Sequence, residues 1–219
     1  MNRNAVAHLA SPSGRKRSDH LEQVDEVVSR LLGKLGRHHP ATYEHSIRVG
    51  GLARRLATHL NMPPETVRKV TRAALLHDLG KVAVPAKILD KPTPLNEHEW
   101  SRIDLHCQIG ADMLRRTKLL EDEAHLVLHH HRWYAANNCL SMNYVENRNA
   151  AIDLIAICDA YDAMISDRPY STGQNNESAL RHLAAEAGTQ FNPKMIKALK
   201  QMLEAGETDL PSEEALPHH

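Results

Sequence analysis

The side chains best equipped for chemistry in this chain are imidazoles and carboxylates, and several of them interrupt otherwise apolar helical stripes. There are 16 histidines among 219 residues. His45 shares a stripe with Val49, Leu52, Leu56 and Leu60, and His77 continues one through Val67, Val70 and Ala74. Asp78 adjoins His77, and Asp159 sits one turn after Ile155 in the run A-A-I-D-L-I-A-I-C-D-A-Y-D-A-M-I. A buried carboxylate is costly unless it is paired or bound to metal. A lone core histidine is more often hydrogen-bonded than metal-bound, so the grouping matters more than any one residue. His129, His130 and His131 are consecutive, with His125 one turn earlier. Neighbours on a helix diverge by about 100°, so two of the three can serve one site only at a helix end or bend. The alternative is an exposed terminus whose cations complement the helix dipole.

The string A-A-L-L-H-D-L-G-K sharpens the reading. It sets His77 and Asp78 at the end of an apolar run, with Lys81 three residues on. Two ligand-type residues at the end of a buried helix, with a cation nearby, suit a metal site that binds phosphate. An aspartate can bridge two metals with its two oxygens, and a lysine can neutralise phosphate charge.

Helices must position these groups. Apolar spacing begins at Leu21 and continues through Val24, Val27, Val28, Leu31 and Leu32. Pro40 opens a second helix, and Pro63 and Pro64 separate it from a third that Gly80 closes. Val82 to Leu95 holds three prolines and reads as a loop. Asn96 and Glu99 form a capping-box pattern before Trp100 and Ile103. Helices over roughly 106–117 and 121–132 follow, then a long asparagine-rich loop over 133–149. The apolar run carrying Asp159 ends before Pro169. A helix over about Glu177–Ala187 and a last one, capped by Asn192 with Pro193 behind it, complete the set.

Composition supports an all-α chain. Apolar residues make up 42%, and Phe, Trp and Tyr number 1, 2 and 5, fewer than a sheet-rich core usually uses. Basic and acidic residues balance at 27 each, which gives no footprint for DNA or a membrane surface. The three cysteines, Cys107, Cys139 and Cys158, form no C-x-x-C pair, which excludes a disulfide framework and suits a reducing compartment. Cys107 and Cys158 flank candidate ligands, but helix neighbours point elsewhere, so packing roles are expected. No secretory leader or membrane span is apparent, and the expected address is the cytoplasm.

At this point the chain resembles the HD superfamily of metal-dependent phosphohydrolases, and within it the HD-GYP subgroup. The resemblance rests on H-S-I-R-V at 45–49, L-L-H-D-L-G-K at 75–81, V-P-A-K-I-L-D-K-P at 84–92 and H-C-Q-I-G at 106–110. It continues with H-H-H-R-W at 129–133, C-D-A-Y-D-A-M-I-S-D-R-P-Y at 158–170 and G-T-Q-F-N-P at 188–193. It implies an HD-domain helical bundle of about seven to nine helices enclosing a metal cluster. The domain would span 41–204, after a flexible tail (1–18) and an N-terminal helix (19–40), with a disordered tail over 205–219. The terminal His218 and His219 take no part in this reading.

Carried over by motif, the metal ligands are His45, His77, Asp78, His106, His129, His130 and Asp159. Asp78 would bridge two metals. His45, His77 and Asp159 would complete one site, and His106, His129 and His130 the other. Asp78 and Lys81 would be catalytic, Lys81 and Arg168 would bind substrate phosphate, and Asp162 would orient the site. The cofactors implied are two divalent transition-metal ions, iron or manganese first and nickel or zinc next. Some members place a glutamate one turn before the first histidine to help hold a third metal. Ala41 stands there instead, so two are expected.

The resemblance implies a phosphodiesterase acting on cyclic di-GMP. One departure bears on the substrate: Asn137, Asn138 and Cys139 fall where the subgroup has Gly-Tyr-Pro. Cyclic di-GMP turnover is therefore expected to be weak or altered. The alternatives are a phosphohydrolase for another nucleotide, or a signalling module that binds a nucleotide or protein without turnover. Regulation would then fall to a signalling protein partner.

Overall fold

The computed structural model describes residues 12–135, 150–167 and 172–206. Among these the chain is all-α, with nine helices of eight residues or more. They are α1 (Pro12–His38), α2 (Pro40–His59), α3 (Pro64–Leu76), α5 (Glu97–Asp104), α6 (His106–Arg115), α7 (Glu121–His129), α8 (Ala150–Ile165), α9 (Asn176–Ala185) and α10 (Pro193–Glu204). A one-turn α4 (Ala86–Leu89) and a 3-10 turn (Leu79–Ala83) lie between α3 and α5. Among the described residues no helix is long and apolar enough to cross a membrane.

Local chemistry sets most boundaries. Proline opens α2, α3 and α10, where its missing N–H costs nothing. Asn96 and Glu99 form the reciprocal capping box of α5, and Asn192 caps α10 through the Lys194 N–H. The Asn192 amide also donates to Asp153 at 2.7 Å, tying α10 to α8. Several boundaries differ from the sequence expectation, among them the end of α7 at His129 rather than about 132 and the one-turn α4 inside the stretch read as a loop. The first helix starts at Pro12, inside the stretch read as a tail, because Pro12 suits a first helical turn and only Gly14 follows as a poor helix former. The third helix ends at Leu76, with His77 as its C-cap, and Lys81 lies in the tighter 3-10 turn.

The core gathers apolar faces of α1, α2, α3, α7, α8 and α10, including Leu35, Leu56, Leu76, Leu154 and Leu199. Helix α2 packs on α3 and α8, while α6 packs on α7 and on the 3-10 turn. Two glycines permit these approaches. A Cβ on Gly50 would sit 2.5 Å from Leu75 Cδ2, and one on Gly80 would sit 2.0 Å from the His106 carbonyl oxygen. The second contact sets the distance between the His77–Asp78 corner and the start of α6. A buried ion pair, Arg72 Nε to Glu123 at 2.8 Å, joins α3 to α7. After α7 the backbone N–H groups of Tyr134 and Ala135 donate to the carbonyls of Gln190 and Thr189 at 2.9 and 2.6 Å, fastening that strand of chain to the loop before α10.

Candidate metal centre

Helix ends supply almost every polar group of the site. His77 caps α3, Asp78 begins the 3-10 turn, His106 opens α6, and His130 and His131 follow the last turn of α7. His45 and Asp159 project from the helices α2 and α8 across the same space. His77, Asp78, His106 and His130 are all buried.

The ligand atoms cluster tightly. Those of His45, His77 and Asp78 lie within 4.8 Å of one another, as do those of His77, His130 and Asp159, and those of His106, Cys107, His130 and His131. Asp78 stands at the centre. Its Oδ2 faces His77 Nε2 at 3.5 Å, His45 Nε2 at 3.9 Å and the Lys81 ammonium at 2.7 Å, while its Oδ1 faces His106 Nε2 at 3.5 Å. The two oxygens thus look toward opposite halves.

The histidines are held by their outer nitrogens. His77, His106 and His130 each direct Nδ1 at the carbonyl three residues back, at 2.7, 2.6 and 2.7 Å. A carbonyl only accepts, so Nδ1 donates in each. Burial, opposed in part by the Asp78 charge, lowers His106 to about 4, and burial with His131 and His77 nearby lowers His130 well below the usual range. Both are neutral, and each Nε2 therefore presents a lone pair. Those two lone pairs face each other at 3.4 Å. His77 Nε2 is buried without a hydrogen-bond partner. Imidazoles fixed by a carbonyl at one nitrogen and turned inward with the other fit a metal.

The other half is more acidic. His45 Nδ1 pairs with Asp162 at 2.7 Å and its Nε2 with Asp159 at 3.0 Å. Burial would lower His45, but these hydrogen bonds and the surrounding carboxylate charge outweigh it and raise its pKa to about 9. Burial also opposes a proton on His77, yet the Asp78 and Asp159 charges raise its pKa. Burial alone would raise Asp78, but Lys81, His77 and His106 hold it well below the carboxylate range.

Of the residues expected from sequence, the fold brings together His45, His77, Asp78, His106, His130 and Asp159, with Lys81 against Asp78. It does not bring in His129. That ring packs on His125 one turn back, with centroids 4.8 Å apart, while His131 packs against His106 and His130. The cause is where α7 stops. With His130 turned inward, His129 still belongs to the helix and points about 100° away, whereas the turn after it brings His131 over the cluster. The histidines placed beside His106 are therefore His130 and His131.

Cys107, expected to pack, places its Sγ 3.4 Å from His106 Nε2. Burial, with the Asp78 charge, pushes its thiol up to about 11. Arg48, one turn after His45, forks onto Asp162 through Nε at 2.8 Å and an Nη at 3.0 Å, fixing the carboxylate that holds His45. Its i,i+3 spacing from His45 was the available signal. Arg168, Asn137, Asn138 and Cys139 lie outside the described residues.

Comparison with known proteins gives a consistent picture. The HD domain family model matches residues 42–164. A cyclic di-GMP phosphodiesterase of Pseudomonas aeruginosa is 38% identical over 72% of this chain and 38% of its own length. A 3′3′-cGAMP-specific phosphodiesterase of Vibrio cholerae is 29% identical over 81% of this chain and 34% of its own. The chain thus spans little more than a third of these relatives. In three dimensions the fold is similar to the HD domain of the Listeria monocytogenes phosphodiesterase PgpH in complex with cyclic di-AMP. The TM-score is 0.56 at 20% identity, covering 81% of this chain and 95% of that one.

Proposed function

The chain belongs to the HD domain family, and from that premise we propose that it is a metal-dependent phosphodiesterase that opens a 3′,3′-cyclic dinucleotide. The observation that carries the reading is the pair of lone-pair nitrogens on His106 and His130, turned toward each other at 3.4 Å beside the Asp78 carboxylate. Such an arrangement is repulsive without a cation between the donors. The substrate class is supported by the relatives, whose names specify cyclic di-GMP and 3′3′-cGAMP.

Asp78 would bridge two divalent ions through its opposed oxygens. His45, His77 and Asp159 would hold one ion, and His106, His130 and His131 the other. When bound, the ions supply Lewis-acid charge to a phosphoryl oxygen and lower the pKa of a water. The protein's own groups do the rest. Lys81, fixed by Asp78 at 2.7 Å, offers an ammonium to a non-bridging phosphate oxygen and offsets charge developing there. Asp162, clamped by Arg48, keeps the His45 proton on Nδ1 and its Nε2 turned inward. Ring opening adds water across one P–O ester bond and yields a linear dinucleotide. Arg168 would add a second cation to the phosphate. Free Cys107 and Cys158 suit a reducing cytoplasm.

Asn137, Asn138 and Cys139 stand in place of Gly-Tyr-Pro, which favours weak cyclic di-GMP turnover beside intact phosphodiester chemistry. The test is elemental analysis of purified protein, followed by hydrolysis assays on cyclic di-GMP, 3′3′-cGAMP, cyclic di-AMP and a small chromogenic phosphodiester. Metal near two ions per chain with cleavage of the chromogenic ester and of at least one cyclic dinucleotide is expected. Metal-replete protein that cleaves none of them would instead make the chain a non-catalytic binding module, and metal-free protein that takes up no ion would remove the centre itself.

A further inference from the structure

We propose that Cys107 is a metal ligand, so that His106, Cys107, His130 and His131 form a mixed imidazole–thiolate seat in one half of the centre. This rests on the metal-centre reading above and adds a donor of different chemistry to it. The four ligand atoms lie within 4.8 Å of one another. In a tetrahedral site with metal–nitrogen bonds of about 2.0–2.1 Å and metal–sulfur bonds of about 2.3 Å, neighbouring nitrogens are about 3.3 Å apart and a nitrogen–sulfur pair about 3.6 Å. The His106 and His130 Nε2 atoms stand 3.4 Å apart, and Cys107 Sγ stands 3.4 Å from His106 Nε2. These two spacings match one shared ion, and the remaining pairs of the group lie within 4.8 Å.

The electronic arrangement agrees. His106 and His130 have committed Nδ1 to backbone carbonyls, so only Nε2 is available; the sulfur lies 3.4 Å from His106 Nε2 and 3.8 Å from His130 Nδ1, so it meets the His106 lone pair directly and flanks the His130 ring. Cys158, by contrast, is fully buried, whereas Cys107 and His131 reach the surface and give an ion a way in. On binding, the thiol gives its proton to solvent and the sulfur lone pair forms the metal bond. No electron transfer is involved. A soft thiolate shifts selection toward zinc, cobalt and iron and away from manganese and magnesium, which prefer oxygen donors.

The test is reconstitution of the metal-free full chain with cobalt(II), read by absorption spectroscopy alongside metal content. Wild-type protein should show a near-ultraviolet sulfur-to-cobalt charge-transfer band. Cys107→Ala and Cys107→Ser should lose that band while still binding cobalt through the remaining histidines. Zinc affinity should fall at least about tenfold in both variants, with manganese affinity changing less. Full cobalt occupancy without the band in wild type would overturn the proposal while leaving the metal centre intact. A band that persists in Cys107→Ala would assign the thiolate to another cysteine and also overturn it. Failure of wild type to bind cobalt or zinc at all would overturn both this proposal and the metal centre. Retained cobalt binding in either Cys107 variant shows that it folds, so the loss or persistence of the band is read in an intact protein.

Discussion

Gly80→Ala should damage the centre without replacing a ligand. The new Cβ would lie 2.0 Å from the His106 carbonyl oxygen and 2.7 Å from the Gly110 nitrogen, both backbone atoms that cannot rotate away. An ordinary carbon–oxygen contact is about 3.3 Å, so the start of α6 must retreat by roughly 1.3 Å. Ligand distances tolerate about 0.2 Å, several times less than this shift. His106 rides on that end of α6, so its half of the centre should open while the His45–His77–Asp159 half persists. Metal content should fall by about one ion per chain. Overpacking of about 1–3 kcal/mol, at about 2–4 °C per kcal/mol for a domain of this size, lowers the melting temperature by roughly 2–12 °C. Gly110→Ala is the control, since its Cβ would meet Gly80 and Val127 at a milder 3.2 Å. Thermal denaturation and elemental analysis of both variants decide the matter. A Gly80→Ala protein with wild-type melting and wild-type metal content would refute the claim that this contact spaces the two halves.

Three other outcomes follow from the site. Asp78→Ala should lose both ions, because its two oxygens face opposite halves, whereas Lys81→Ala should keep them and lower kcat by about 10²–10³; full metal retention in the first variant would contradict the bridge. His131→Ala should weaken metal binding at least about tenfold and His129→Ala should leave it unchanged, as measured by competition with a chromogenic chelator; the reverse order would restore the pair expected from sequence. Because His45 holds a proton to about pH 9 in the metal-free protein, an ion entering at pH 7 must displace it, so affinity at that half should rise about tenfold per pH unit up to that value. Calorimetry in buffers of different ionisation enthalpy counts the released protons, and uptake with no proton release would remove His45 from the ligand set.

Much of this centre was readable before any coordinates. His45, His77 and Asp159 announced themselves as polar residues on apolar stripes, since burial without a partner is too costly to be accidental. The HD string and the ordered motifs around it then implied the bundle. The unreadable part depended on single residues at helix ends. Whether His129 or His131 joins His130 turns on stopping α7 at His129, and helix ends are fixed by packing that local sequence does not encode. The approach of Cys107 to His106 was hidden for a related reason. The rule that neighbours diverge holds along a helix, yet at the first turn of α6 the His106 ring and the short Cys107 side chain still come within 3.4 Å.

The two main-chain bonds that fasten Tyr134 and Ala135 to Gln190 and Thr189 have a consequence for how such a chain can be re-engineered. They involve only backbone atoms, so they are indifferent to which side chains stand nearby. The described chain is thus clamped at Ala135, and it resumes at Ala150, the start of α8. None of the described ligands lies between those two points. Grafting a homologous insert there should change selectivity while leaving the ligand geometry in place, much as a tool head is changed on a fixed shank.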